Sequence, residues 1–219
     1  MITCECDNTF GNTGKPSCDP IFAQPHKAFL VPKYGSDGTL NFIDLTETLN
    51  AAYFAAKINA ADPLDRWYPL PTLKNFNGEK GDATYETFDD DTKSYVRDGI
   101  RSVSALIPKS SETYMSKLAT YTCQEFGMYM IDKRGNLKGM LNAVDELYPL
   151  LIDNESWNVR TAWATGTTNQ NLMLAFDIHP DEQEENLRMI LASDIAPVNL
   201  LSLQGLLDVS AEYTDIDQT

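Results

Sequence analysis

Histidine is nearly missing from this chain, with His26 and His179 the two among 219 residues. That scarcity removes the commonest general base and metal ligand, so catalysis would have to rest on carboxylates, thiols and hydroxyls gathered by folding. Basic side chains are short as well: 17 Lys and Arg stand against 32 Asp and Glu, a formal net charge of −15. An acidic surface repels phosphate, which disfavours a basic groove that grips nucleic acid. No apolar run approaches the roughly 20 residues that a membrane-spanning helix needs. The opening Met1-Ile2-Thr3-Cys4-Glu5-Cys6-Asp7 has neither a basic head nor an apolar stretch. No secretory signal is expected there, and synthesis in a cytoplasm is.

Cysteine is scarce and unevenly spread, with Cys4, Cys6 and Cys18 near the start and Cys123 far away. Such spacing makes a poor disulfide framework, and reduced thiols are the default. Cys4, Cys6 and Cys18 together with His26 form the candidate zinc set, a Cys3His arrangement that lacks a paired CxxC knuckle. Missing too are GxGxxG, GxxxxGK[ST], GxSxG and HExxH, the signatures of dinucleotide and phosphate binding, the common hydrolase elbow and zinc peptidases. No cofactor, resident metal or catalytic set is expected, and the chain reads as a structural part.

What is present is a folded composition, 42% hydrophobic and 22% charged. Residues 1–25, rich in Gly, Asn, Thr, Pro and Cys, read as an irregular arm, residues 26–214 as one β-rich domain, and 215–219 as an acidic flexible tail. His26 to Tyr34, a Gly-Ser-Asp-Gly turn and Leu40 to Leu45 suggest a hairpin. The alanine-rich run from Thr46 to Ile58 predicts a helix capped by threonine, with Leu49, Tyr53 and Ala56 on its apolar stripe. Proline and glycine break the stretch from Asp62 to Asp91. Tyr95 to Ile107 reads as a strand with a bend near Gly99, and Ser111 to Thr120 as a second, short helix.

Stronger β signals follow. Phe126, Met128 and Met130 share a face of one strand, and Asp132 to Asn136 forms the loop of a hairpin returning through Leu137. Leu147 to Asp153 is another apolar run. Leu172, Leu174, Phe176 and Ile178 alternate inward along a further strand. Pro180 to Leu191 opens with proline and acids and closes with Arg188, the polarity of a third helix, and residues 203–213 read as a last strand. The sum is an α+β chain, a mainly antiparallel β-sandwich or partial barrel with two or three flanking helices.

Three local groups bear on chemistry. Asp177, His179 and Asp181 alternate so that two carboxylates and an imidazole could face one cation, but they read as the polar face of a strand running into a helix start, which Asp181 suits. Asp89, Asp90 and Asp91 lack DxDxDG spacing and read as a solvated acidic loop. Trp67, Trp157 and Trp163 read as core or interface anchors.

The order of several segments resembles bacteriophage tail-tube and tail-ring proteins of Bacteroidetes-infecting phages, including crAss-like ones. The matching stretches are Arg66-Trp67-Tyr68-Pro69 with Phe88; Ser94 to Arg101; Tyr129 to Lys133 with Gly135-Asn136-Leu137; Leu147-Tyr148-Pro149; and Phe176-Asp177 through Glu185-Asn186-Leu187-Arg188. The resemblance implies a β-sandwich or barrel subunit in a homo-oligomeric ring, part of a tail tube or head-to-tail connector beside other tail, portal or connector proteins. It implies a virion location, synthesis in a bacterial cytoplasm and transient passage of double-stranded DNA. Glu86, Asp89, Asp90, Asp91, Asp181 and Glu182 are then candidate channel-lining or loop acids. Trp67, Tyr68, Asp132, Lys133, Arg134 and Asn136 are candidate contacts between subunits. The alternatives are a carbohydrate-binding or carboxylate-dependent carbohydrate-active sandwich and a small metal-dependent adaptor.

Overall fold

A computed structural model of the chain describes residues 21–142, 145–180, 182, 186–195 and 197–207. In chain order the strands are β1 (Pro25–Pro32), β2 (Ile43–Asp44), β3 (Tyr68–Pro69), β4 (Lys74–Lys80), β5 (Thr84–Thr87), β6 (Lys93–Arg97) and β7 (Arg101–Pro108). They continue as β8 (Phe126–Asp132), β9 (Leu137–Leu141), β10 (Glu146–Tyr148), β11 (Leu150–Leu151), β12 (Asn158–Ala162), β13 (Asn171–Asp177) and β14 (Leu187–Ile190). The α-helices among the described residues are α1 (Ala51–Ile58) and α2 (Glu112–Ala119). The expected α+β class, antiparallel and sandwich-like with flanking helices, is what the chain adopts.

The larger sheet runs β2-β10-β9-β8-β1-β3, with β11 on β8 and β14 on β9, and curls into a half barrel. A four-stranded sheet, β12-β13-β7-β4, packs on one of its faces. Alternation assigns the side chains. Ala28, Leu30, Phe126 and Met128 meet Val103, Ala105, Ile107, Leu172, Leu174 and Phe176 between the sheets. The intervening residues, Phe29, Val31, Tyr129 and Ile131, point the other way, against Phe54, Ile58, Trp67, Ile195 and Leu200. Every residue of β8 is buried because both of its faces are covered. Burying each large aliphatic or aromatic side chain contributes about 1.5–3 kcal/mol, so β8 is the energetic spine of the fold.

The larger sheet also forks. β8 and β9 pair only at Met130↔Lys138 and Ile131↔Leu137. Beyond that point Tyr148 pairs with Met140 on β9 and Leu150 with Met128 on β8, so β10 and β11 form a V, turned at Pro149, inside the splayed hairpin. Backbone approaches so closely here that a Cβ on Gly139 would lie 2.6 Å from the Tyr148 carbonyl, and one on Gly127 2.7 Å from that of Leu150.

Several local expectations are corrected. The first helix begins at Ala51 with Asn50 as its cap, Asn50 Oδ1 accepting from the Tyr53 N–H at 3.0 Å. Thr46 is instead held in a turn, its N–H and hydroxyl donating to Asp44. Leu49 is buried and Tyr53 half-buried as expected, but the stripe continues through Phe54 and Ile58 and leaves Ala56 exposed. The expected third helix is replaced, over its described part, by β14, which pairs antiparallel with β9. A free sheet edge outweighed the helical polarity of that segment. The first hairpin turn closes through a Tyr34↔Leu40 bridge, but β2 then pairs with β10. Residues 203–207 are irregular, and the rest of the expected last strand lies outside the described residues. Among the described residues no helix is long and apolar enough to cross a membrane.

Candidate functional site

Between β4 and β7 the chain leaves the body as a hairpin arm, β5 paired with β6, in which every residue of both strands is exposed. The arm is continuous with the sandwich, since β4 and β7 pair down to Lys80↔Arg101. At the join, the Gly81 N–H donates to the Ile100 carbonyl at 2.9 Å. A Cβ on Gly99 would sit 1.8 Å from the Gly81 carbonyl oxygen, so only glycine permits this crossing. Lys80 and Asp98 form an ion pair of 3.0 Å beside it. Hydrogen bonds and charge from Lys80 hold the Asp98 carboxyl below its ordinary range.

Along the arm a bulge separates the Thr84↔Arg97 and Tyr85↔Tyr95 pairs. The two tyrosine rings meet edge to face at 6.0 Å, yet remain 54% and 57% exposed. Phe88 and Val96 are exposed alongside them. At the tip Asp90 accepts from the Thr92 hydroxyl at 2.5 Å and from its N–H at 3.0 Å, which lowers its pKa. Asp91 takes the left-handed backbone conformation of the turn, at φ 62°. Glu86, Asp89, Asp90 and Asp91 are thus exposed arm residues, with Asp90 capping the turn.

The other sequence candidates disperse. Trp67 is 1% exposed and packs on Phe29, Tyr53, Phe54 and Tyr129, so it belongs to the core of a single chain and offers no surface to a neighbour. Tyr68 is half-buried, its hydroxyl donating to the Pro63 carbonyl at 2.9 Å. Asp132 and Asn136 are also buried, contrary to a contact role. Asp132 accepts from the N–H groups of Ala23, Arg134 and Asn136 and from Asn136 Nδ2, while Asn136 Oδ1 accepts from the Ala192 N–H. Burial pushes the Asp132 pKa up, but those hydrogen bonds outweigh it and hold it below its usual value. Lys133 and Arg134 stand exposed at the tip of the same turn.

Glu182 is half-buried and accepts the Leu151 N–H at 3.0 Å, a structural duty away from the arm. Cys4, Cys6, Cys18 and Asp181 lie outside the described residues, and His26 is half-buried on β1. Among the described residues no three His, Cys, Asp or Glu side chains gather as metal ligands. Trp157 is core, whereas Trp163 is 80% exposed on the loop after β12.

Two surface clefts lie among the described residues. One, about 240 Å³, sits in the crotch of the fork against Met140, Tyr148, Pro149 and Leu151. The other, about 270 Å³, carries Asp37, Asp44, Glu47, Asp65 and Lys57. Its aspartates are already engaged: Asp37 by Thr39, Asp44 by Thr46 and Asp65 by Ser36. Each is held below its ordinary pKa by those bonds, as suits turn caps kept ionised.

Sequence reading passed over β5 because the stretch before Asp91 is rich in breakers. The usable signal was the alternation of Thr84, Tyr85, Glu86 and Thr87, mirrored by Lys93 to Arg97 across an acidic turn. No protein-family model, curated protein or solved structure matches this chain.

Proposed function

We propose that this chain is a non-enzymatic structural subunit of a phage virion, which assembles with its own copies into a ring of a tail tube or head-to-tail connector. The observation that carries the reading is the arm. A two-stranded hairpin exposed on both faces and both edges is marginal in water by itself, and its aromatic side chains are left wet. An element of that kind is built to be completed by another chain, and pairing its edges removes the hazard that open strands carry. The resemblance of its segment order to that of tail-tube and tail-ring proteins supports the same role. Head-to-tail contacts of this sort close into a ring when the rotation allows.

In such a ring the neighbours are further copies and other tail, portal or connector proteins. A net charge of −15 suits a channel that passes duplex DNA without holding its phosphates. Negative-stain microscopy and light scattering of the purified chain test the reading. Rings or short tubes are expected, and replacing residues 82–99 by a short Gly-Ser link is expected to abolish them while circular dichroism of the body is unchanged. Rings that survive the deletion, or a full chain that stays a single copy at high concentration, overturn it. Exposed Trp163 favours the second reading, a carbohydrate-binding sandwich, since an exposed ring can stack on a sugar. Quenching of tryptophan fluorescence by a panel of polysaccharides, lost in Trp163→Ala, would support that reading.

A further inference from the structure

The solvent face of the β12-β13-β7-β4 sheet carries a charge pattern that the ring reading does not use. On it Lys74, Asn77, Glu79, Ser102, Ser104 and Arg160 are exposed. Opposed residues of antiparallel strands share a face, so the register arranges its side chains in rungs. One rung holds Asp177, Ser102 and Glu79. The next holds Asn158, Ala175, Ser104 and Asn77, and the third Arg160, Met173, Leu106 and Lys74. Two acids therefore sit on one rung and two bases on another, with small or uncharged side chains between them.

The described ion pairs are Lys33–Glu125 and Lys80–Asp98, so none of these four charges is neutralised within the described part of its own chain. Copies that each carry −15 repel one another over most of their surface. Here the local sum is zero, and the pattern is its own complement when reversed along the strands. We infer that this face docks on the same face of a second copy, about a two-fold axis running across the strands. Lys74 of each copy then meets Glu79 of the other, and Arg160 reaches Asp177. Ala175 and Ser104 lie at the axis, where the small side chains let the sheets approach.

With strands about 4.8 Å apart and about 3.4 Å per residue, the face spans roughly 15 by 20 Å, which places the contact among weak, concentration-dependent ones. A two-fold contact closes on itself and does not propagate, so it is separate from the head-to-tail contacts of a ring and stands or falls independently of them. Sedimentation velocity of the full chain over a concentration series tests it. Lys74→Glu and Glu79→Lys, each at an exposed position, are expected to weaken pairing by about tenfold or more. The double variant K74E/E79K restores the complementary pair and is expected to return to within about threefold of the parent. Melting curves confirm that the variants fold. A parent chain that does not pair, or a double variant as weak as either single one, overturns the inference, whatever microscopy shows of rings.

Discussion

The indole N–H of Trp157 donates to the Leu118 carbonyl at 2.9 Å and ties the start of β12 to the end of α2. Trp67, as deeply buried, finds no hydrogen-bond partner for its indole N–H among the described residues. Replacing each by phenylalanine separates the two situations. Trp157→Phe loses a hydrogen bond in the core, whereas Trp67→Phe removes an unsatisfied donor along with part of a packed ring. Trp157→Phe should therefore cost about 1 kcal/mol more than Trp67→Phe, read from urea midpoints at equal slope.

Gly99→Ala should break the root of the arm. The added methyl carbon would fall inside the Gly81 carbonyl oxygen, and overpacking of this kind costs about 1–3 kcal/mol. The loss is local, because the arm has no share in either core. Limited proteolysis should cut between residues 82 and 99 faster than in the parent, with the melting temperature of the body little changed.

Asp132 supplies the acid end of the pH profile. Its folded pKa lies below the unfolded value, so its contribution is full above the unfolded pKa of about 4 and is lost as pH falls through the folded one. Asp132→Asn should flatten the decline in stability below pH 4. Asp132→Ala, which leaves four donors without their acceptor, should destabilise by about 2–4 kcal/mol near neutrality. Thermal melts from pH 2.5 to 7 read both effects.

The alkaline limit has the opposite sign. Burial raises the pKa of Tyr114 to about 12, and burial followed by the neighbouring Glu146 raises Tyr148 to about 12. Tyr53, Tyr121 and Tyr129 are shifted upward too, each first by burial. Their neutral forms stabilise the fold fully below the unfolded pKa of about 10, and that contribution is lost as pH rises toward the folded values. Urea midpoints should hold to about pH 10 and then fall steeply, with absorbance of tyrosinate rising together with unfolding. Tyrosinate of Tyr114 or Tyr148 appearing in the folded chain at pH 10 would contradict this.

The parts legible in the sequence were those decided locally. Alternation in Leu172, Leu174, Phe176 and Ile178, the β8–β9 turn at Asp132 to Asn136, and the short helix α2 all depend on neighbours within a few residues. What escaped was decided by distant partners. Leu187 to Ile190 became a strand because β9 had an edge to fill, and the choice of core over interface for Trp67 was made by Phe29, Phe54 and Tyr129, which enclose it. The charge rungs of the smaller sheet needed the register of four strands from separate regions before Lys74 could be placed beside Leu106, or Glu79 beside Ser102.

The forked sheet has a kinetic meaning. Two strands joined by a short turn ordinarily zip along their whole length within microseconds, and a hairpin that did so here would leave no opening for the Pro149 bend. Bare backbone at Gly127 and Gly139 makes room for the latecomer's carbonyls. Maturation of this region must wait for a chain segment synthesised afterwards, and a bulkier residue at either glycine would favour the prematurely sealed ladder over the native branch.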